Sequence, residues 1–168
     1  MYNNTLIKRV ILTVLVIAWC AVIFSFSAQN SNESSHTSGG LIEAVCNFII
    51  PEFGNFSGAE RQKFVYSLQF WVRKSAHFTA YGILGFLSWF ALFDIKKGKR
   101  YLIAVGFSML YACSDEIHQY FVPGRSCELR DVLIDTSGAA LGALIALAFT
   151  VLAIRIKEKR HKNTAVQE

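Results

Sequence analysis

The chain has 168 residues, of which 53% are hydrophobic, and it carries a formal net charge of +5 with only two prolines. This length allows one domain, and the apolar residues occur in long blocks, which is typical of a membrane protein with several spans. The basic residues flank those blocks without any nucleic-acid-binding motif. We therefore interpret them as topology and lipid head-group charges, and we expect membrane lipids rather than nucleic acid as partners.

The first apolar run covers residues 10–26, follows Lys8 and Arg9, and ends near Ser27. A basic start and an apolar core also fit a cleavable signal peptide. The run is long enough to span a bilayer and lacks a clean alanine pair before a cleavage site. We therefore predict an uncleaved first span at about residues 10–27.

Residues 28–71 are predicted to form one extracytoplasmic segment. The Ser- and Asn-rich part at 29–40 reads as a loop, and the apolar part at 41–50 is too short to span. A capping box of Ser57 and Glu60 then predicts the start of an amphipathic helix that runs along the membrane surface.

Three further spans are predicted at about 72–93, 101–121 and 132–154, with a short basic turn at 94–100 and a frayed cytoplasmic tail at 155–168. The fourth span also offers a face for close helix packing. That face consists of small residues, namely Gly138, Ala139, Ala140, Gly142 and Ala143.

With four spans, the side that holds both termini carries eleven Lys and Arg residues, whereas the other side carries six. The positive-inside rule then places both termini in the cytoplasm of a multi-pass protein of the plasma or inner membrane. The predicted fold is an all-α membrane protein with four transmembrane helices and an extracytoplasmic amphipathic helical segment between spans 1 and 2. The whole chain, 1–168, forms its single domain.

This topology brings ionisable side chains from three spans to the outer membrane face. Such groups are costly near a bilayer and usually mark a site. Residues three or four apart share a helix face, so we expect one pocket with shared roles. His118 and His77 are candidate proton carriers, oriented by Asp115, Glu116 and Asp135. The candidate ligand-binding residues are Lys74, Gln119, Arg125, Arg130 and Asp131.

Three other interpretations stay open at this point. The same residues could bind a ligand without catalysis, or form a salt-bridged plug that only fixes helix packing. His77, His118 and a carboxylate could hold a divalent metal, but no His-x-x-x-His or His-Glu-x-x-His spacing occurs, so we expect no cofactor.

A disulfide between Cys46 and Cys127 is conceivable if their loops lie on the same side.

The polar motifs resemble the VanZ family of small membrane proteins, named for a member linked to teicoplanin resistance. Four segments carry this resemblance: Lys74 to Phe78, Ser114 to Gln119, Pro123 to Arg125, and Asp131 to Gly138. Phe24 to Gln29 is also similar to the family. The matching functional positions are Lys74, His77, Asp115, Glu116, His118, Gln119, Arg125, Asp131 and Asp135.

The resemblance implies reduced susceptibility to teicoplanin-type lipoglycopeptides. From the cluster and this resemblance together, we expect an outward-facing polar pocket that binds or acts on a lipid-linked envelope molecule or a lipoglycopeptide. An enzymatic version of this site would be a hydrolase or transferase acting on an anionic lipid head group, but the sequence does not decide between catalysis and binding.

Overall fold

A computed structural model describes residues 2–165, and these residues form an all-α fold without a strand. The all-α prediction is therefore confirmed. The helices are α1 (Tyr2–Ser27), α2 (Ser31–Ile49), α3 (Gly58–Ala91), α4 (Lys97–Tyr120) and α5 (Leu129–Ala165), with a short 3-10 turn at Pro51–Asn55 between α2 and α3.

The predicted loop at 29–40 is wrong, because most of it belongs to α2. A local capping box starts this helix: the side chain of Asn30 accepts from the Glu33 N–H at 2.9 Å, and the Glu33 carboxylate accepts from the Asn30 N–H at 3.0 Å. The small polar residues then let α2 approach α3 closely. A Cβ at Gly39 would lie 3.2 Å from Nε2 of Gln69. Tertiary packing thus overrides a polar composition that favours a loop.

A small hydrophobic core lies beneath α2 and the 3-10 turn, built from Ile42, Cys46, Phe53 and Val65. Because Cys46 is buried in this core and Cys127 is exposed, the conceivable disulfide between them is not formed. All four cysteines are free.

The predicted amphipathic helix and the second span form one continuous helix, α3, whose 34 residues extend about 50 Å. Its start confirms the predicted capping box, since the Ser57 N–H donates to the Glu60 carboxylate at 2.8 Å. The segment at 28–71 therefore contains two helices, and its second helix continues directly into the bundle.

Two segments that were predicted to be irregular are partly helical. The turn at 94–100 is shorter than predicted, because α4 begins at Lys97 and its Arg100 side chain folds back onto the Trp89 carbonyl and ring. The predicted frayed tail at 155–168 continues α5 as far as Ala165, and residues 166–168 lie outside the described residues. The tail is rich in strong helix formers, which favours its continuation as a helix.

Helices α3 and α5 run parallel to each other, and α1 and α4 run in the opposite direction. The contacts Lys74–Asp131 and Trp89–Thr150 occur in the same order along both helices, so α3 and α5 are parallel. The indole N–H of Trp19 in α1 donates to the Ala80 carbonyl of α3 at 2.8 Å, which holds α1 against α3. This arrangement places the ends of α1 and α4 beside the start of α5.

The small-residue face of α5 packs directly on α3, which confirms the predicted close helix packing and identifies the partner helix. A Cβ at Gly138 would lie 2.1 Å from the Phe78 carbonyl oxygen, and one at Gly142 would lie 1.8 Å from the Gly82 carbonyl oxygen. No side chain fits between these backbones. The glycines therefore set the separation of the two helices that carry half of the predicted site residues.

Two helices in the described range are long and apolar enough to cross a membrane: Asn4–Ser27 and Leu129–Arg160. Helices α3 and α4 do not reach that standard, so hydropathy supports two of the four predicted spans. Large apolar side chains cover the outer faces of the two qualifying helices. Ile17 is 63% exposed and Leu144 is 51% exposed, which is typical of surfaces that contact lipid.

Candidate functional site

The polar residues singled out by their spacing gather at one end of the bundle. Their positions follow from the antiparallel arrangement, in which α1 and α4 end where α5 begins, beside the middle of α3. The structure brings most of the predicted residues together there, but it divides them among several contacts instead of one common pocket.

Two contacts join α3 to α5 one helical turn apart. Lys74 pairs with Asp131, and both side chains are largely buried. His77 Nδ1 lies 3.4 Å from Asp135 Oδ2. The i,i+3 spacing on α3 therefore matches the i,i+4 spacing on α5, which confirms that each pair of residues shares a helix face.

Asp115 connects α4 to this group. Its Oδ2 atom accepts from the Ser27 hydroxyl at 2.8 Å and from the Gln119 amide at 3.1 Å, whereas its Oδ1 atom is buried without a hydrogen-bond partner. His77, Asp115 and Asp135 each contribute one donor atom to a cluster in which all three atoms lie within 4.8 Å of one another. Three helices thus meet at one compact group of ionisable side chains.

Glu116 has a different role in the fold. Its Oε2 atom accepts from the Glu128 backbone N–H at 2.8 Å, directly before the first residue of α5. This contact ties the end of α4 to the start of α5. The side chain is 1% exposed, and its Oε1 atom is buried without a hydrogen-bond partner.

His118 is not paired with Asp115, contrary to the sequence interpretation. Its ring packs on Phe24 of α1 at a centroid distance of 4.6 Å, and its Nδ1 atom is buried without a partner. Asp115 instead uses the residue four positions on, Gln119. The rotation of α4 about its axis places Gln119, and not His118, beside Asp115. The same rotation turns His118 toward α1.

Arg130 also lies apart from the predicted pocket. Its guanidinium pairs with Glu128 at 2.6 Å, and both side chains are well exposed. The Arg130 guanidinium additionally lies over the Phe70 ring, 5.4 Å from the centroid. Arg130 is therefore a surface residue beside the start of α5.

A cavity of about 450 Å³ lies between α1, α2 and α3. Its walls are mainly apolar and include Trp19, Val22, Ile23, Leu41, Val72 and Ala80. Three basic side chains, Arg73, His77 and Arg125, line the same cavity. An adjoining open groove shares Trp19, Val72 and Ala80 and extends along Thr79 and Ile83 of α3.

Arg125 reaches this cavity from the loop between α4 and α5. Gly124 precedes it with a φ of 75°, a conformation that favours glycine, and the Ser31 N–H donates to the Pro123 carbonyl oxygen at 3.3 Å. These contacts dock the loop on the start of α2. Arg125 Nη1 donates to the Ser34 hydroxyl at 3.4 Å.

The Arg125 guanidinium has no carboxylate partner within residues 2–165, and its Nε atom is buried without a hydrogen bond. Burial and the positive charge of Arg73 hold the pKa of Arg125 below its ordinary value, and nearby Asp115 and Glu116 offset this effect only in part. The guanidinium stays charged at neutral pH, as arginine does in proteins. An anion beside it would relieve both unfavourable contributions.

Sequence reasoning missed Arg73, Ser27 and the whole α2 wall of the cavity. Arg73 and His77 are four residues apart, so their shared face was readable from spacing. Ser27 gives no comparable signal, because its contact with Asp115 spans 88 positions of the chain. The α2 wall was missed because the polar composition of this segment predicted a loop.

One comparison with known proteins gives a match. A family model described as VanZ/LLP1 matches residues 12–152, which include every residue of the site described above. No curated protein and no solved structure matches the chain.

Proposed function

The chain belongs to the VanZ/LLP1 family, as its motifs predicted, and on that premise we propose that it is a membrane protein that binds an anionic amphiphile. The apolar cavity between α1, α2 and α3 holds the hydrocarbon part, and Arg73 and Arg125 hold the anionic head group. A lipid-linked cell-envelope molecule and a lipoglycopeptide both have this chemistry.

The observation that carries the proposal is an apolar cavity with two guanidinium groups that lack a carboxylate partner among the described residues. Guanidinium groups bind phosphate and carboxylate through paired hydrogen bonds. By contrast, the nearby Lys74 is already neutralised by Asp131. The positive charge at the cavity is therefore free for a ligand, and the ion pair beside it serves to hold α3 against α5.

The adjoining groove could hold the part of a long hydrocarbon chain that extends beyond the cavity. It continues the cavity along α3 past Thr79 and Ile83 and is open on one side. An acyl or prenyl chain longer than the cavity could lie there in contact with bilayer lipid. A ligand that is charged at one end and apolar along its length thus matches both parts of the site.

Trp19 provides a test because it lines both the cavity and the groove. We suggest reconstituting the protein in nanodiscs with Trp71→Phe, since Trp71 is 67% exposed, lines only the open groove and would add quenching from outside the cavity. Brominated phosphatidylglycerol is then titrated against brominated phosphatidylcholine, and tryptophan quenching is measured. We expect stronger quenching by the anionic lipid, with the difference lost when Trp19 is changed to Phe.

Matched charge variants then identify the head-group site. Arg125→Gln should remove most of the preference for the anionic lipid, whereas Arg130→Gln should retain it, because Arg130 lies on the surface paired with Glu128. Equal quenching by both lipids, or equal loss in both variants, would contradict the proposal. The comparison also separates specific binding from general attraction between basic protein and anionic lipid.

We further propose four spans with both termini in the cytoplasm and the cavity toward the outer face. The supporting observations are the eleven-to-six distribution of Lys and Arg and the gathering of α3, α4 and α5 polar residues at one end. Cys127 is exposed in the loop at that end. A membrane-impermeant maleimide should label it in intact cells, and Cys127→Ser should abolish that labelling. Labelling only after permeabilisation would reverse the topology.

Family membership also motivates a cellular role in tolerance to teicoplanin-type lipoglycopeptides. In this role the cavity would bind the antibiotic or the lipid-linked molecule it targets. Cells that express the wild type should survive teicoplanin better than cells that express Arg125→Gln at equal membrane abundance. Equal survival would remove the antibiotic role but leave amphiphile binding to be judged by the quenching experiment.

A further inference from the structure

We propose that His77, Asp115 and Asp135 form a binding site for a divalent transition-metal ion such as Zn²⁺ or Mn²⁺. The site lies where α3, α4 and α5 meet. The inference goes beyond amphiphile binding and does not depend on it, because the metal ion alone is the probe. It also departs from the sequence expectation, which found no metal-binding spacing in the chain.

The first observation is the geometry of the three side chains. One nitrogen of His77 and one oxygen from each carboxylate all lie within 4.8 Å of one another. Zinc binds nitrogen and oxygen at about 2.0–2.2 Å, so donors around one ion lie roughly 3–4 Å apart. Small side-chain movements would therefore bring the three donors onto one ion.

The second observation is that both carboxylates of this cluster have one oxygen that is buried without a partner. Asp115 is 4% exposed and Asp135 is 0% exposed, yet the Oδ1 atom of each lacks a hydrogen bond. Buried carboxylates are costly unless they are paired or bind a metal. Each side chain thus has an acceptor oxygen that no hydrogen bond satisfies, and a cation held by the cluster would stabilise both carboxylates.

The neighbouring cations do not meet this need. Lys74 pairs with Asp131, and Arg125 donates to Ser34 without pairing with a carboxylate in the described part of the chain. A protonated His77 would supply one positive charge against two carboxylates. A divalent ion with neutral His77 balances both charges of Asp115 and Asp135.

Neighbouring polar side chains orient the Asp115 carboxylate by hydrogen bonds, as they do for the ligands of known metal sites. Ser27 and Gln119 both donate to Oδ2 of Asp115, which leaves Oδ1 available. One imidazole and two carboxylates, without a thiolate, suit Zn²⁺, Mn²⁺ or Fe²⁺ better than Cu⁺. Three protein ligands leave at least one coordination position open, and His77 also lines the cavity that contains Arg125.

The test uses purified full-length protein without a histidine tag, stripped with a chelator and then titrated with ZnCl₂. We expect about one Zn²⁺ retained per chain after dialysis and a rise in Tm on binding. His77→Gln, Asp115→Asn and Asp135→Asn should each weaken Zn²⁺ binding more than about 100-fold and remove the Tm rise.

Two controls match these variants. Glu128→Gln removes a carboxylate that pairs with Arg130 at the surface, and His36→Gln removes an exposed histidine on α2, so both should bind Zn²⁺ like the wild type. Wild-type protein loaded with Mn²⁺ adds a readout that needs no variant, since its pulsed EPR spectrum should show one imidazole nitrogen. A wild type that retains no Zn²⁺, unchanged affinity in the three ligand variants, or no nitrogen coupling would overturn the proposal.

Discussion

Replacing Gly138 with alanine should separate α3 from α5 and disturb the site without touching any of its side chains. The added Cβ would lie 2.1 Å from the Phe78 carbonyl oxygen, and backbone contacts of this kind do not fall below 3.0 Å. The helices must therefore move apart by about 1 Å locally. Because His77 precedes Phe78 and Asp135 lies three residues before Gly138, the 3.4 Å contact between them should lengthen as well.

The expected cost of Gly138→Ala is about 1–3 kcal/mol in the free energy of unfolding, the usual range for overpacking. It can be measured by reversible unfolding of the purified protein in mixed micelles with increasing SDS. Gly106→Ala is the matched control, because a Cβ at Gly106 meets nothing within 4 Å. Alanine favours helix, so this control should be neutral or up to about 1 kcal/mol more stable. Equal stability of the two variants would refute the close α3–α5 packing.

Three further changes test the contacts that hold the site. Lys74→Met should cost up to about 3 kcal/mol in unfolding experiments because it leaves the Asp131 carboxylate unpaired, and adding Asp131→Leu should recover most of that loss. Glu116→Gln keeps an acceptor for the Glu128 N–H and should change stability little, whereas Glu116→Ala should cost about 1–3 kcal/mol in the same assay. Asn30→Ala should cost about 1 kcal/mol and speed amide hydrogen exchange at the start of α2 while leaving α5 unchanged. Full stability of Lys74→Met, equal loss in both Glu116 variants, or unchanged exchange in Asn30→Ala would each contradict the corresponding contact.

Local signals predicted the fold well where one short pattern decides the structure. The Ser57–Glu60 capping box starts α3 as predicted, and the glycines of α5 pack on α3 as their spacing indicated. The same box occurs at Asn30 and Glu33, but the polar composition after it favoured a loop. Helix α2 forms because its small residues fit against α3, which composition cannot reveal.

The candidate site was likewise predicted where local spacing decides the arrangement and missed where packing between distant helices decides it. Helical spacing predicted that Lys74 and His77 share one face and that Asp131 and Asp135 share another, and the structure joins these faces. Spacing could not decide whether Asp115 pairs with the residue three or four positions on, since that depends on how α4 is rotated against α1. The cavity itself depends on packing between helices that are distant in the chain.

If Arg73 and Arg125 select an anionic amphiphile for the cavity, as we propose, the purified protein should retain an anionic lipid in preference to a zwitterionic one. This can be measured by native mass spectrometry of the protein released from nanodiscs with equal phosphatidylglycerol and phosphatidylcholine. The control for an Arg73→Gln/Arg125→Gln double variant is Arg61→Gln/Arg130→Gln, which removes the same charge away from the cavity. We expect one retained anionic lipid in the wild type and the control, and none in the Arg73→Gln/Arg125→Gln variant. Retention of both lipids alike, or the same retention in both double variants, would contradict the account.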